Sequence, residues 1–354
     1  MSNYVYSSSP QIRSNRTTKW IMIDVCIALL PACIAGCVLL GWLALLQLAL
    51  ACVSAVLAEF VFLLCCKKSV IQILSEFDFS SLVTGLLIGM NMYVTSKWYV
   101  SILASIFAIV VVKMLFGGTG KNIVNPAIAG RVFAFIAFGA AFGGTFCANP
   151  TVDTVSPFDY THRIQAGATP LQSLYDSSIH NTLANWELFL GIGVQGTIGE
   201  VCKLALIAGG IYLIVRGVLN FRWPLVYLAV TGLVTVFIVW IEGCVTSTMA
   251  SSAVVGIEFA KAWGTFLPSI LSGGVMLGAI FMATDYVTTP NTKLGNYIYF
   301  VLLGVLTALL RWATGGEVVS FVILLMNLFV PLFDMYIRRK PFGYVKVKTE
   351  KEAK

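Results

Sequence analysis

Ten apolar runs, five on each side of a polar stretch at residues 147–187, constrain this chain more than any other feature. A helix needs about 20 mostly apolar residues to cross the hydrocarbon of a bilayer. Helices are the form such runs must take, because lipid offers an open backbone no hydrogen-bond partners. The chain therefore reads as an all-α integral membrane protein. Composition agrees: 58% of the residues are hydrophobic and 11% charged, with a mean hydropathy of +0.88, whereas soluble domains carry roughly 25% charged residues.

The runs fall at about 20–40 (interrupted by Pro31), 43–66, 79–95, 98–116 and 126–146. They resume at 188–216, 223–241, 265–284, 296–313 and 318–337, with a polar, small-residue loop expected at 242–263. Five parts follow: a cytoplasmic N-terminal tail at 1–19, a first five-helix repeat at 20–146, an extracytoplasmic loop at 147–187, a second five-helix repeat at 188–337, and a basic cytoplasmic tail at 338–354. The first 19 residues lack the apolar core of a cleaved signal peptide.

The two halves echo each other weakly. Thr84-Gly85-Leu86-Leu87-Ile88-Gly89 resembles Ser272-Gly273-Gly274-Val275-Met276-Leu277-Gly278, and one span later Lys113-x3-Gly117-Gly118 resembles Arg311-x3-Gly315-Gly316. Five spans per half would place the second copy upside down, and inverted repeats put their functional centre near the midplane at broken helices. With the N-terminus inside, all but five of the 23 Lys and Arg lie on or near the cytoplasmic side; the exceptions are Lys97, Arg163, Lys203, Lys261 and Arg311. That asymmetry is the positive-inside pattern and puts both termini in the cytoplasm. The formal charge of +7 sets orientation and is no sign of nucleic acid.

Few stretches could carry chemistry. Nine cysteines include no CxxC and no Cys/His cluster, so they read as small apolar residues at helix contacts and no metal site is expected. The turn Gly117–Gly130 satisfies neither G-x-G-x-x-G nor the Walker pattern; it reads as a helix start with Asn125 as cap and Pro126 in the first turn. Asp24, Glu59, Glu200 and Asp285 lie within or at the ends of spans, where an ionisable group is a functional candidate by default. Asp285, Asp24 and Glu59 are the candidates for an ion pathway. The loop holds Ala166-Gly167-Ala168-Thr169-Pro170-Leu171: small residues leave Thr169 open to a modifying enzyme, and Pro170 keeps it out of helical geometry.

Four motifs in one order carry a family resemblance over nearly the whole chain. They are Asp24-Val25-x-Ile27-Ala28-Leu29-Leu30-Pro31-Ala32; Gly117-Gly118-x-Gly120-x-Asn122-x-x-Asn125-Pro126-Ala127; Gly167-Ala168-Thr169-Pro170-Leu171; and Met282-Ala283-Thr284-Asp285. The sequence resembles the family that contains the D-type membrane subunit of the Rnf complex and the B-type membrane subunit of the sodium-pumping NADH:quinone reductase. The resemblance implies FMN held covalently on Thr169 by a phosphoester, with Gly167, Ala168 and Pro170 forming the recognition motif of a dedicated flavin transferase. It also implies that the turn with Asn122 and Asn125 lies near a second, noncovalent flavin such as riboflavin. Ala166 stands where the motif usually has Ser or Thr, and Arg163 at an upstream position that is usually acidic.

By that resemblance the chain is one component of an ion-translocating oxidoreductase in a prokaryotic cytoplasmic membrane, not catalytic alone. It relays electrons between ferredoxin and NAD chemistry and contributes to Na⁺ or H⁺ movement. Its partners would be a second FMN-bearing subunit, other membrane subunits, and the ferredoxin- and NAD-handling subunits. Two alternatives accompany it: the equivalent quinone reductase component, and a flavin-free transporter similar in plan to urea channels.

Overall fold

The computed structural model describes residues 17–142, 171, 174, 185–191, 194, 196–246 and 252–338. Among these residues every regular element is helical. The first half comprises α1 (Thr18–Leu40), α2 (Trp42–Cys65), α3 (Val70–Glu76), α4 (Ser80–Met90), α5 (Trp98–Phe107, running on as a π-helix over Ala108–Met114), α6 (Pro126–Ala137) and the short α7 (Gly139–Phe142). After the short α8 (Asn185–Leu190) and a 3₁₀ turn (Ile198–Glu200), the second half comprises α9 (Lys203–Val215), α10 (Arg222–Thr246), α11 (Ser252–Trp263), α12 (Phe266–Leu271), α13 (Val275–Leu277, running on as a π-helix over Gly278–Met282), α14 (Lys293–Thr314) and α15 (Val319–Tyr336).

Five of these helices, α1, α2, α10, α14 and α15, are long and apolar enough to cross a bilayer. Two bent pairs also qualify: Val70–Glu76 with Ser80–Met90, bent by 70°, and Glu258–Leu271 with Val275–Met282, bent by 62°. Trp98–Met114, Pro126–Ala137 and Lys203–Val215 are shorter apolar helices. Each half thus holds one bent pair, but the long helices fall at different places, first and second in one half and second, fourth and fifth in the other.

The packing repeats as well. First elements meet first (α1 on α9) and fifth meet fifth (α6 on α15). Within each half the second element packs on the third and the fourth: α2 on α4 and α5, α10 on α12 and α14. At the α1–α9 crossing Gly209 faces the Ala28 carbonyl so closely that a Cβ would collide with it. Small residues allow such backbone approach where lipid supplies no hydrophobic drive.

Local chemistry sets the element ends. Asn125 Oδ1 accepts from the Ala127 N–H at 3.0 Å and Pro126 opens the helix, as the sequence predicts. Ser69 and Gln72 form a reciprocal capping box on α3. Three expectations change. Pro31 does not interrupt the first helix, which continues from Thr18 to Leu40; neighbouring elements tolerate a freed carbonyl in a packed bundle. The expected span at 79–95 ends at Met90 and gains α3 across a sharp bend. Helix also occupies most of the expected 242–263 loop, because α10 runs to Thr246 and α11 covers Ser252–Trp263.

Candidate functional site

Two cavities lie among the described residues, one walled by the 119–126 turn and one by Tyr93, Leu171 and the 314–318 turn. The first holds about 140 Å³ behind an open mouth, below the ~300–1,000 Å³ usual for small-molecule sites. Val25, Leu87, Leu213, Ile280 and Phe281 supply apolar walls, and Thr84, Lys113, Asn122, Asn125 and Asp285 supply polar groups. Asn122, Asn125 and Asp285, far apart in sequence, therefore share one space. Asn125 Nδ2 also donates to the Met282 carbonyl at 3.1 Å, tying the start of α6 to the end of the second bent pair.

Asp285 sits in the turn after that pair, partly buried, and accepts from the Val287 backbone N–H at 3.2 Å. Burial pushes its carboxyl up from 3.8 to about 6, against the opposing pull of that single hydrogen bond. Glu59 stands behind the cavity and joins it through Lys113, whose Nζ donates to Glu59 Oε1 at 2.8 Å and to Ser80 Oγ at 2.6 Å. Ser80 Oγ donates in turn to Asp78 Oδ1 at 2.6 Å, and Thr119 Oγ1 to Asp78 Oδ2 at 2.6 Å. Asp24 does not face the cavity, although Met22 and Val25 beside it do. Its carboxylate clamps α1 to α9, accepting from Tyr212 at 3.0 Å and Arg216 at 3.1 Å.

The second cavity is larger and holds about 420 Å³. Four of its rings form one edge-to-face series: Tyr93 to Phe142 at 5.5 Å, Phe142 to Phe135 at 5.7 Å, and Phe135 to Phe321 at 5.5 Å. Arg131, Glu200 and Glu317 supply charge. Arg131 Nη1 donates to Asn91 at 2.7 Å and Ser320 at 3.0 Å, and its Nη2 lies 3.6 Å from Glu200. Leu171, two residues past Thr169, is buried in this cavity wall. Gly167, Ala168, Thr169 and Pro170 themselves lie outside the described residues.

Beside the second cavity, the break in the second bent pair is held by two buried cations. Arg311 donates to the carbonyls of Ser269 at 3.0 Å and Ser272 at 3.2 Å, and to both oxygens of Glu317 at 2.9 Å. Lys203 donates to the carbonyls of Glu200 and Gly273. Gly273 has a φ of +62°, and a Cβ there would strike Glu317. Lys113 and Arg311, matched by the sequence echo, thus reach the breaks of their own halves, each with a carboxylate partner. The positive-inside count treats Lys203 and Arg311 as exceptions on the outer side. Both are fully buried in the bundle, so neither is a solvated charge that the count should weigh. Sequence reasoning passed over Lys113 and Arg131 as site residues; a lone cation within an apolar run was their available signal.

Broken helices, buried ion pairs at the breaks and a cavity towards each end define a polytopic membrane protein built to hold charge within the bilayer. The chain belongs to the NQR2, RnfD, RnfE family, whose model matches residues 5–343. It is 35% identical over 354 residues to the D-type component of the Na(+)-translocating ferredoxin:NAD(+) oxidoreductase complex of Acetobacterium woodii, covering 99% of each chain. It is also 31% identical to the D-type component of the ion-translocating oxidoreductase complex of Escherichia coli O127:H6 and 32% identical to that of Yersinia enterocolitica, with 96% of this chain and 98% of each relative aligned.

Proposed function

We propose that this chain is the D-type membrane subunit of an Rnf-type ferredoxin:NAD oxidoreductase, relaying electrons through FMN esterified to Thr169 and contributing to Na⁺ or H⁺ translocation. The observation that carries the reading is the full-length relation to the D-type component of the Acetobacterium woodii complex. The same relation favours the ferredoxin:NAD assembly over a quinone reductase. The partners are the complex's second FMN-bearing subunit, its other membrane subunits and its ferredoxin- and NAD-handling subunits, and a flavin transferase matures the chain.

Residues of both cavities suit this role. FMN supplies a ring that passes electrons singly or in pairs. A phosphoester on Thr169 leaves that ring free, and Leu171, two residues on in sequence, lines a cavity walled by Tyr93, Phe135, Phe142 and Phe321, rings of the kind on which a flat aromatic ligand stacks. At the other cavity Asn122 and Asn125 would hold riboflavin by hydrogen bonds while Val25, Leu87 and Phe281 exclude water. Asp285 and Glu59, both within or one bond from that cavity, serve the ion path. Asp24 is a clamp between halves first, since both its partners are on α9 or its C-terminal end.

In this reading both termini and the Asn122 cavity face the cytoplasm, Thr169 lies on the outer face, and the halves are inverted repeats. The decisive experiment is intact-mass spectrometry after coexpression with a flavin transferase. The wild-type chain should gain one FMN less one water, and Thr169→Ala should lose both that mass and its in-gel flavin fluorescence. An unmodified wild-type chain overturns the covalent relay. A cysteine placed beside Thr169 should react with an impermeant reagent from outside intact cells; reaction only after permeabilisation reverses the orientation.

A further inference from the structure

α3 stands apart from both cavities, at the end of the bundle where α2 stops. Its seven residues divide by side: Val70, Ile71, Ile73 and Leu74 share one face, and Gln72, Ser75 and Glu76 the other. Ile73 closes against the protein, but Val70, Ile71 and Leu74 are 48%, 81% and 65% exposed. The helix is about 10 Å long and is bent from α4 by 70°. A limb bent that far from a helix near the bilayer normal lies close to the membrane plane.

Both ends of α3 sit level with the ends of spans. Four residues separate its start from the end of α2. Just past its last residue, the rings of Phe77 and Phe79 meet edge to face at 5.0 Å, and Lys19, in the first turn of α1, lies over Phe79 at 5.6 Å. Trp20, beside Lys19, is exposed, as tryptophans at the headgroup level are. The charge here is one-sided. Lys19, Lys67, Lys68 and Lys121 are exposed, Lys121 in the turn that Thr119 ties to Asp78 in the bend. Among the described residues only Lys68 of these four has a carboxylate partner, Glu76 at 2.6 Å. Asp78 is half-buried and accepts from Ser80 and Thr119 instead.

We propose that α3 is an in-plane helix seated on anionic phospholipid. Val70, Ile71 and Leu74 enter the boundary of the acyl chains, and the lysines, Lys67 foremost, take the headgroup phosphate. An apolar face flanked by lysines at headgroup level is the make-up of an interfacial helix. The cores of protein interfaces, by contrast, are depleted of lysine.

The test uses the full chain in nanodiscs of phosphatidylcholine, alone or mixed with phosphatidylglycerol. Ile71→Cys and Ser75→Cys are each treated with a water-soluble maleimide. Labelling is located by peptide mass spectrometry, which sets Cys65 and Cys66 aside. Ser75→Cys should react freely and Ile71→Cys severalfold more slowly. In parallel, a photoactivatable phosphatidylglycerol should cross-link to residues 67–76. Unlabelled phosphatidylglycerol should compete far better than phosphatidylcholine, and NaCl should weaken capture. Lys67→Gln should raise the half-saturating content of the probe about fivefold, the effect of one lysine near an anionic surface, and Lys67→Arg should not. Glu76→Gln, which releases Lys68, should shift it the other way. Equal labelling at positions 71 and 75 overturns the proposal, as does capture indifferent to both Lys67→Gln and Glu76→Gln. Position 71 open in nanodiscs but shielded in native membranes holding the assembled complex assigns the face to a partner protein, which overturns it too.

Discussion

Replacing Arg311 by Met tests how the second broken helix is held. The guanidinium is 1% exposed and serves four acceptors: the Ser269 and Ser272 carbonyls and both oxygens of Glu317. Methionine fills much of the volume but leaves a mostly buried carboxylate without its partner. Breaking a buried ion pair from one side costs about 3–5 kcal/mol. Against a total stability of ~5–15 kcal/mol, Arg311→Met should remove about 4 kcal/mol. Adding Glu317→Gln eliminates the orphaned charge. What remains is the loss at two helix-end carbonyls, about 1–2 kcal/mol in all. The double variant should therefore be more stable than the single one, with a coupling of about 2 kcal/mol or more between the sites. Reversible unfolding in mixed micelles, followed by far-ultraviolet circular dichroism, measures each corner of the cycle. A single-variant loss below about 1 kcal/mol, or a double variant no better than Arg311→Met, would refute the argument that this pair is a desolvated one.

Other expectations follow from the same geometry. Gly209→Leu must push α9 off the Ala28 carbonyl of α1 and should lower stability by about 1–3 kcal/mol in the same unfolding assay. Asp285 gives a pH signature: because burial raises its folded pKa from 3.8 to about 6, the folded state holds the proton more tightly than the unfolded one. Its contribution therefore favours the fold at low pH and is lost as pH rises from about 4 to about 6. Stability measured across that window should fall for the wild type and flatten for Asp285→Asn.

Much of this molecule was legible before any coordinate. Lipid cannot satisfy an open backbone, so long apolar runs dictate helices wherever they fold, and the Asn125-Pro126 start of α6 follows from capping chemistry confined to neighbouring residues. The echo of Lys113 with Arg311 also pointed at equivalent positions. Hydropathy could not find the bends, because a bent pair is as apolar as a straight span and differs only in where its limbs turn. It also could not say what Lys203 and Arg311, inside apolar runs, pair with. Whether a cation within an apolar run faces water, lipid or a carboxylate depends on residues distant in sequence, such as Gly273 for Lys203 and Ser269 for Arg311. The meeting of Asn122, Asn125, Lys113 and Asp285 around one cavity, and the diversion of Asp24 to Arg216, are decisions of the same kind. The sequence by itself determined a helical membrane protein, since solvent transfer acts residue by residue. Only the tertiary structure decided which charges are paired, because pairing at membrane depth is a property of neighbours in space.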